Sequence, residues 1–436
     1  MSDTTYDLLG IGLGPFNLGL AALADGAEAD LEAVFLEQDE SFEWHPGMLI
    51  EGATLEAPFL ADLVSMADPT SEYSYLNYLH ETDRLHEFYT FRKFAIPRRE
   101  YNEYCKWVAA SLESCRFSRR VTTVEPTEER FRVTAVDPTG GDTETYLAED
   151  VVVGVGPEPF VPEAFRGYPD DVFHTSVYLD RRDRLLEADR VTVVGSGQSA
   201  GEVFSDLLDR QPEAGYHLDW ITRSEGFFQL EESKLAHAFY TPEYTDYFYG
   251  LPADERTTTL EGQDHLYKGL DRETSDAIYD TLYRRSITGD PDVLLLSATE
   301  VTGITPAGDD GRYTLTCREW KQSETLERET DAVVLATGYH RPTPAFLDEL
   351  EPRLERDETG RYDVRRDYRI PVSGTTGSVF VQNGSLHDHG MNVAHLGLAP
   401  HRNSRILNSV VGEQVYDTRE TVGYQRFGVE SVRENA

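Results

Sequence analysis

The chain has 436 residues, of which 79 are acidic and 40 basic, and its formal net charge is −39 at pH 7. A charge of this sign and size repels nucleic acid and anionic membranes, so neither is expected as a partner. The acids are spread along the chain, as in a protein that stays soluble in a high-salt cytoplasm. Three scattered cysteines, Cys105, Cys115 and Cys317, predict neither a disulfide framework nor a metal site.

The N-terminal segment has the pattern of a dinucleotide-binding turn. A short apolar strand at residues 5–11 runs into a glycine-containing turn at 12–17, and an apolar helix follows. The glycines permit a tight turn and let a pyrophosphate approach the N–H groups of the helix N-terminus. The next strand ends at Glu37, an acid placed to bind unphosphorylated ribose hydroxyls, as in FAD. The predicted contacts from this turn are Gly12, Gly14, Pro15, Phe16 and Asn17.

A second turn of the same kind lies near the middle of the chain. It follows an apolar strand at residues 190–194, and the next strand ends at Arg223 instead of an acid. An arginine at this position suits a 2′-phosphate, so NADPH is favoured over NADH. The predicted contacts from this turn are Gly195, Ser196, Gly197, Gln198 and Ser199.

Either turn alone could be an ordinary βα turn, because the third glycine of the pattern is replaced by Asn17 in one and by Ala200 in the other. Both turns nevertheless lie between a strand and a helix, and each has a fitting residue at its ribose position. A further apolar strand at 331–339 runs into a glycine turn of the kind that returns the chain to an FAD domain. Together these features favour two nucleotide sites.

The pattern predicts an α/β protein with two Rossmann-like dinucleotide-binding domains, one for FAD and one for NADPH. We assign residues 1–165 to the first part of the FAD domain and 166–330 to the NADPH domain. Residues 331–436 form the return segment of the FAD domain. Within the NADPH domain, residues from about 227 to 290 are rich in aromatic residues and helix formers. They predict a mostly helical insert on the substrate side.

Five motifs along the chain carry a family resemblance. They are Trp-His-Pro-Gly-Met at 44–48, Phe-Leu-Ala-Asp-Leu-Val at 59–64, Asp-Pro-Thr at 68–70, Ala-Thr-Gly-Tyr at 336–339 and His-Asp-His-Gly at 387–390. With them the chain resembles the microbial N-hydroxylating flavin monooxygenases, which act on lysine, ornithine or diamines in hydroxamate siderophore synthesis. The resemblance implies that NADPH reduces FAD, that O2 forms a C4a-hydroperoxyflavin, and that a neutral amine attacks the distal oxygen. Positioning and water exclusion dominate such catalysis, so no catalytic side chain is assigned.

The same resemblance implies additional cofactor contacts. The FAD contacts that it adds are Trp44, His45, Glu56, Val121, Ala394, His395 and Leu396. The NADPH contacts that it adds are His237 and Tyr240, on the nicotinamide side. The family also implies a homotetramer, with the amine and O2 as small-molecule partners. The few scattered cysteines indicate the cytoplasm as its compartment.

The chain departs from the amino-acid-specific members at their substrate positions. Those members carry a glutamine next to the flavin and a carboxylate-binding lysine five residues later, where this chain has Glu56 and Ala61. Two asparagines and a serine of those members correspond to His237, Leu266 and Gly397. A substrate carboxylate without a cation would be costly to desolvate, whereas an added acid suits a second ammonium.

We therefore predict an aliphatic diamine substrate such as putrescine, cadaverine or 1,3-diaminopropane. Three alternatives stay open at this point. The chain could hydroxylate L-lysine or L-ornithine, it could oxygenate a ketone or sulfide, or it could bind flavin and nucleotide without catalysis. Glu56 could also be one more acid of an acidic composition.

Overall fold

The computed structural model describes residues 5–308, 311–418 and 423–429, so the ends of the predicted FAD-domain segments lie outside the described residues. The strands within this part of the chain are β1 (Thr5–Ile11), β2 (Ala33–Leu36), β3 (Thr54–Pro58), β4 (Ala95–Pro97), β5 (Cys115–Arg116), β6 (Arg120–Pro126), β7 (Phe131–Val136), β8 (Thr143–Val153), β9 (Glu158–Pro159), β10 (Val172–His174), β11 (Arg190–Val194), β12 (His217–Ile221), β13 (Val293–Leu296), β14 (Thr299–Pro306), β15 (Tyr313–Glu319), β16 (Glu324–Thr330), β17 (Ala332–Leu335), β18 (Tyr339–His340), β19 (Arg369–Ile370) and β20 (Val379–Val381).

The α-helices lie between and after these strands. Within the described residues they are α1 (Pro15–Gly26), α2 (Tyr75–Glu81), α3 (Leu85–Phe91), α4 (Arg98–Ser111), α5 (Tyr178–Leu185), α6 (Gln198–Ala214), α7 (Pro242–Tyr249), α8 (Ala253–Gly262), α9 (Asp264–Tyr267), α10 (Arg272–Ser286), α11 (Leu386–His389) and α12 (Ala399–Val411). No helix in the described ranges has the length and apolar character needed to cross a bilayer.

The first sheet is built around β1, with the strand order β19-β20-β8-β1-β2-β5. Leu9 of β1 pairs in parallel register with Val34 on one side and Val151 on the other. All three side chains are buried, because a parallel sheet covered on both faces requires apolar strands. α1 covers one face and packs in the same core as α4. The carboxyl ends of β1 and β2 therefore meet where the first glycine turn begins.

The second sheet is fully parallel, with the order β10-β17-β11-β12-β13. Val193 of β11 lies between Trp220 of β12 and Val334 of β17. β17 is part of the strand predicted to return the chain to the FAD domain, yet it completes this second sheet first. Its apolar residues are buried on both faces, which a central parallel strand requires. The return to the first sheet begins after Leu335, later than the predicted start at 331.

The chain between β12 and β13 is helical, as the sequence predicts, and contains α7 to α10. This insert packs on the C-terminal segment. The side-chain amide of Asn392 donates to the carbonyl oxygen of Phe239 at 2.9 Å and to Oγ1 of Thr245 at 2.9 Å. The predicted α/β class with two Rossmann-like sheets and a helical insert is confirmed; the first sheet is mixed, because β7 pairs antiparallel with β6 and β8, and β19 with β20. An antiparallel sheet of β14, β15 and β16 was not predicted, and it packs against the second sheet.

Candidate functional site

A cavity of about 1120 Å³ is lined by residues of the first sheet, the helical insert and the C-terminal segment. Most residues predicted to contact FAD or substrate line it. These are Gly12, Gly14, Pro15, Phe16, Glu37, Trp44, His45, Glu56, Val121, His237, Tyr240, Leu266, Ala394, His395 and Leu396. The predicted residues that do not line it are Asn17, Ala61, Gly397, Gly195, Ser196, Gly197, Gln198, Ser199 and Arg223.

The first glycine turn fits a pyrophosphate. Gly12 has φ +81°, and a Cβ there would lie 3.1 Å from the carbonyl oxygen of Gly154, so only glycine is suited to this position. A Cβ on Gly14, in contrast, would meet nothing within 4 Å. α1 begins at Pro15 with no side-chain cap. Its first N–H groups therefore face open space in which a phosphate can accept hydrogen bonds.

Glu37 and Asn17 support this turn in different ways. The Glu37 carboxylate accepts from the N–H of Leu13 at 2.7 Å and from the N–H of Asp39 at 3.1 Å. It ties the end of β2 to the turn and keeps acceptor capacity toward the cavity. Asn17 is fully buried, and its amide donates to the carbonyl oxygens of Ile11 and Gly12 at 3.3 and 2.7 Å. Asn17 thus holds the backbone of the turn in place, and its role as a direct FAD contact stays a prediction.

The second glycine turn has the same construction. Gly195 has φ +133°, and a Cβ there would lie 2.3 Å from the carbonyl oxygen of Ala336. A Cβ on Gly197 would meet nothing within 4 Å, and α6 begins next to it without a side-chain cap. Arg223 lies two residues after the end of β12. Its neighbour Ser224 bonds to Ser196 of the turn, with 3.0 Å between the hydroxyl oxygens. The turn therefore fits a second dinucleotide, with an arginine beside it.

The Gln198 side chain, predicted as an NADPH contact, makes hydrogen bonds within the protein. Its side-chain amide donates to Glu202 at 3.1 Å and to Thr274 at 3.1 Å, and it also bonds the Asp271 carboxylate. Its carbonyl oxygen accepts from the backbone N–H of Asp271 at 2.8 Å. The side chain thus joins α6 to the N-terminus of α10, while its backbone N–H stays available to a phosphate.

Arg98 and Glu202 form an ion pair that sequence reasoning missed. The Arg98 guanidinium binds both carboxylate oxygens, at 2.7 and 2.8 Å, and the two side chains are only 14% and 5% exposed. Burial raises the pKa of Glu202, although the Arg98 charge opposes that shift. The pair joins α4 to α6, and Arg98 also lines the cavity. Its members are 104 positions apart, so no local pattern could have linked them.

Glu56 lies on β3 and opens into the cavity. Although its side chain is not covered by protein on the cavity side, the surrounding walls hold it away from bulk water. This burial raises the pKa of Glu56 to about 7, helped by the negative charges of Glu202 and Asp271. Burial, and then the Glu56 charge, raise the pKa of Tyr240 to about 12. The Glu56 carboxylate and the Tyr240 phenol therefore interact electrostatically at the same end of the cavity.

Two predicted substrate residues, Ala61 and Gly397, are buried near His395 and do not line the cavity. The His395 ring packs on Tyr240 with 4.9 Å between ring centroids, and its Nδ1 is buried without a partner. Burial lowers the pKa of His395 to about 4, so the ring is neutral. A Cβ at Gly397 would lie 3.1 Å from His395 Cε1 and 3.2 Å from the Ala61 Cβ. Ala61 and Gly397 are therefore buried next to each other, with Gly397 against the His395 ring, and their role as substrate contacts stays a prediction.

Arg402 is a second residue that was missed as a support for the site. Its guanidinium is fully buried and lies 4.3 Å from the centre of the Phe16 ring. Its Nε donates to Gln382 at 2.8 Å, and the neighbouring Asn403 donates to the carbonyl oxygen of Phe16 at 3.0 Å. These contacts fix α12 to the first glycine turn, so the wall of the cavity and its phosphate-binding end are held together.

Comparisons with known proteins agree with this geometry. A family model described as L-lysine 6-monooxygenase/L-ornithine 5-monooxygenase matches residues 4–341. The chain is 41% identical over 426 residues to the putrescine N-hydroxylase of Shewanella oneidensis, covering 97% of this chain and 84% of that protein. It is similar to the FAD-bound cadaverine monooxygenase of the desferrioxamine pathway from Erwinia amylovora, with a TM-score of 0.94, 40% identity, and coverage of 98% of this chain and 99% of that one.

A third similarity concerns both cofactors. The ornithine N-hydroxylase of Kutzneria sp. 744, solved with reduced FAD, NADP+ and L-ornithine, matches with a TM-score of 0.87 and 28% identity over 93% of this chain and 99% of that one. The cofactors of this chain are FAD and NADPH, and the predicted flavin N-monooxygenase activity is confirmed. The chain belongs to the L-lysine 6-monooxygenase/L-ornithine 5-monooxygenase family.

Proposed function

We propose that this enzyme N-hydroxylates an aliphatic diamine such as putrescine, cadaverine or 1,3-diaminopropane, for hydroxamate siderophore synthesis. The observation that carries the proposal is that Glu56 lines the cavity, whereas Ala61 and Gly397 are buried and do not line it. The end of the cavity near Tyr240 therefore offers a carboxylate to a substrate. In the amino-acid-specific relatives, a carboxylate-binding lysine is expected at position 61.

The two amino groups of a diamine must be bound in different charge states, one neutral and one protonated. Bound FAD, once reduced by NADPH, would activate O2, and one oxygen atom of that O2 would be transferred to the amine. The reacting amine must be neutral, yet an alkyl ammonium has a pKa of about 10.4 in water. Enclosure by the cavity walls favours its uncharged form, because a desolvated cation is costly. The second amine stays charged, and a Glu56 carboxylate can pair with it.

The charges near Glu56 favour a cationic substrate. Glu231 and Glu232 also line the cavity. The Arg98 charge acts on Glu56, but the guanidinium is already bound to Glu202. A substrate α-carboxylate at this end would therefore lie among acids, because the nearby cation, Arg98, stays paired with Glu202. The similarity to a putrescine N-hydroxylase and to a cadaverine monooxygenase, at 41% and 40% identity, supports the same substrate class.

A comparison of substrates tests the proposal. We expect kcat/KM for hydroxylamine formation to be at least about 100-fold higher with a diamine of three to five carbons than with L-lysine or L-ornithine, since an unpaired buried charge costs several kcal/mol. The hydroxylamine product must be measured together with NADPH oxidation, because oxidation alone also reports uncoupled turnover. Equal or faster hydroxylation of either amino acid would contradict the diamine assignment.

Replacing Glu56 by glutamine tests the role of its carboxylate. For putrescine, Glu56→Gln should lower kcat/KM by about 10- to 100-fold, the effect of losing a hydrogen bond to a charged group. Butylamine is the matched control, because it has the same chain length and lacks the second ammonium. Its turnover should be unaffected by the substitution. An equal loss with both amines would mean that Glu56 acts on the flavin or on the reacting nitrogen.

The pH profile gives a second measurement on the same variant. Burial raises the pKa of Glu56 to about 7, so the carboxylate needed for the second ammonium is lost as the pH falls through that value. For putrescine, kcat/KM of the unmodified enzyme should therefore rise between pH 6 and 8 with an inflection near 7. Glu56→Gln should lack this inflection and retain the rise at higher pH that comes from the amine itself.

We also infer that the enzyme works in a cytoplasm of high ionic strength. The acids behind the net charge of −39 repel one another. Salt screens that repulsion, with a Debye length of about 10 Å at 0.1 M and about 3 Å at 1 M. The Tm of the holoenzyme should therefore rise by several degrees between 0.1 and 2 M KCl. A Tm that is flat or falls over this range would argue against a high-salt environment. Differential scanning fluorimetry at fixed pH and FAD concentration makes the measurement.

The family resemblance supports a homotetramer as the assembly of this enzyme. Sedimentation velocity of the FAD-loaded protein tests this inference directly. Because the charge is large, the run should be made in at least 0.5 M KCl, so that electrostatic non-ideality does not lower the apparent mass.

A further inference from the structure

Arg341 lines the cavity and has no hydrogen bond or ion pair with any of the described residues. Arg341 is an exposed residue, and partial desolvation by the cavity walls lowers the pKa of its guanidinium, with no neighbouring charge contributing to that shift. Its neighbours Pro342 and Pro344, which also line the cavity, have no side-chain acceptor. The guanidinium therefore keeps its donors for a ligand.

The fold brings Arg341 close to the first glycine turn. It follows β18, which pairs antiparallel with β9 so that His340 lies opposite Glu158. Continued by one residue beyond the two strands, the same register would bring Arg341 to the level of Pro157. Pro157 belongs to a cavity-lining segment that begins at Gly154, the residue whose carbonyl oxygen packs against Gly12. Arg341 and the pyrophosphate-binding turn therefore line the same cavity, with the segment 154–158 between them.

A pyrophosphate bound at the first glycine turn would be stabilised by a cation beside it. A pyrophosphate carries two negative charges, and the N-terminus of α1 offers it N–H groups and only about half a positive charge. The carboxylates Glu37, Asp39, Glu43 and Glu158 also line the cavity and repel such a group. Of the other arginines that line it, Arg98 and Arg119 are paired with Glu202 and Glu144, which leaves Arg120 and Arg341 as the available cations. A planar guanidinium binds two phosphate oxygens at once, which a helix N-terminus cannot replace.

We propose that Arg341 binds a phosphate of a dinucleotide cofactor, and its position next to the first turn points to the pyrophosphate of FAD. The same guanidinium chemistry would suit a phosphate of NADPH, so the test must separate the two cofactors. Binding of FAD is independent of the amine substrate. The outcome is therefore not affected by whether the diamine assignment is correct.

The rate at which FAD leaves the purified holoenzyme on dilution tests the proposal, because released flavin regains its fluorescence. In Arg341→Ala, FAD should dissociate about 10- to 100-fold faster, as expected for a lost hydrogen bond to a charged group. Arg341→Lys should be intermediate, since it keeps the charge without the planar fork. The Kd for NADP+ of the FAD-saturated variants should stay unchanged.

Arg318→Ala is the matched control, because Arg318 is an exposed arginine on β15 that does not line the cavity. Its FAD release should equal that of the unmodified enzyme. A weaker Kd for NADP+ with normal FAD release would assign the phosphate to NADPH and overturn the FAD assignment. Normal values for both cofactors in Arg341→Ala would overturn the proposal altogether.

Discussion

Replacing Arg98 by methionine is expected to lower the free energy of unfolding by about 3 to 5 kcal/mol, the cost of leaving one member of a buried ion pair alone. Glu202, whose side chain is 5% exposed, would keep Gln198 as its hydrogen-bond donor but lose its cation. Urea unfolding of the FAD-loaded protein measures the change. A loss below about 1 kcal/mol would mean that the pair behaves like a surface salt bridge.

The pH dependence of this variant has a defined sign. Burial already raises the pKa of Glu202 in the folded protein, and removal of the Arg98 charge raises it further. A carboxyl with a raised folded-state pKa favours the folded state below its unfolded pKa, and that contribution is lost as pH rises. The difference in stability between Arg98→Met and the unmodified enzyme should therefore be smaller at pH 5 than at pH 8.

The double variant Arg98→Met/Glu202→Leu is the control for this interpretation. It removes both charges and replaces them with apolar groups of similar volume, which is often neutral or stabilising. It should recover most of the stability lost in the single variant. If the double variant is as unstable as Arg98→Met, the loss comes from packing between α4 and α6 instead of from an uncompensated carboxylate.

Replacing Gly197 by alanine is expected to weaken NADP+ binding by about 10- to 100-fold, because the new methyl group takes the space in which phosphate oxygens meet the α6 N–H groups. The fold itself should tolerate the change. A Cβ at Gly197 meets nothing within 4 Å, and its φ of −84° suits alanine. Thermal stability should stay the same or rise slightly, since alanine restricts the unfolded chain. Calorimetric titration with NADP+ measures the affinity.

The equivalent change in the first turn, Gly14→Ala, is the matched control. Gly14 also has open space around its Cβ position and a φ of −72°. It should speed the release of FAD and leave the Kd for NADP+ unchanged once FAD is saturating. If Gly197→Ala affected FAD and Gly14→Ala affected NADP+, the assignment of the two turns would be reversed. If neither variant changed its cofactor, the turns would not hold the phosphates.

The local features of the fold were within reach of sequence reasoning because each depends on neighbouring residues. The strand at Thr5–Ile11, the helix after the first turn and the strand at Arg190–Val194 follow from short apolar runs and from glycines that permit a tight turn. β17 was harder to assign, because its apolar sequence suits a central strand in either sheet. Its pairing with β10 and β11 depends on residues more than 130 positions away.

The sequence alone predicts two dinucleotide turns, most of the residues that line the first, and the loss of the family's carboxylate-binding lysine at Ala61. The contact between Ala61 and Gly397 and the ion pair of Arg98 with Glu202 across α4 and α6 become visible only once the chain is folded. The physical reason is that glycine turns act through local backbone conformation. The direction of a side chain and the partner of a buried charge depend instead on how distant segments pack.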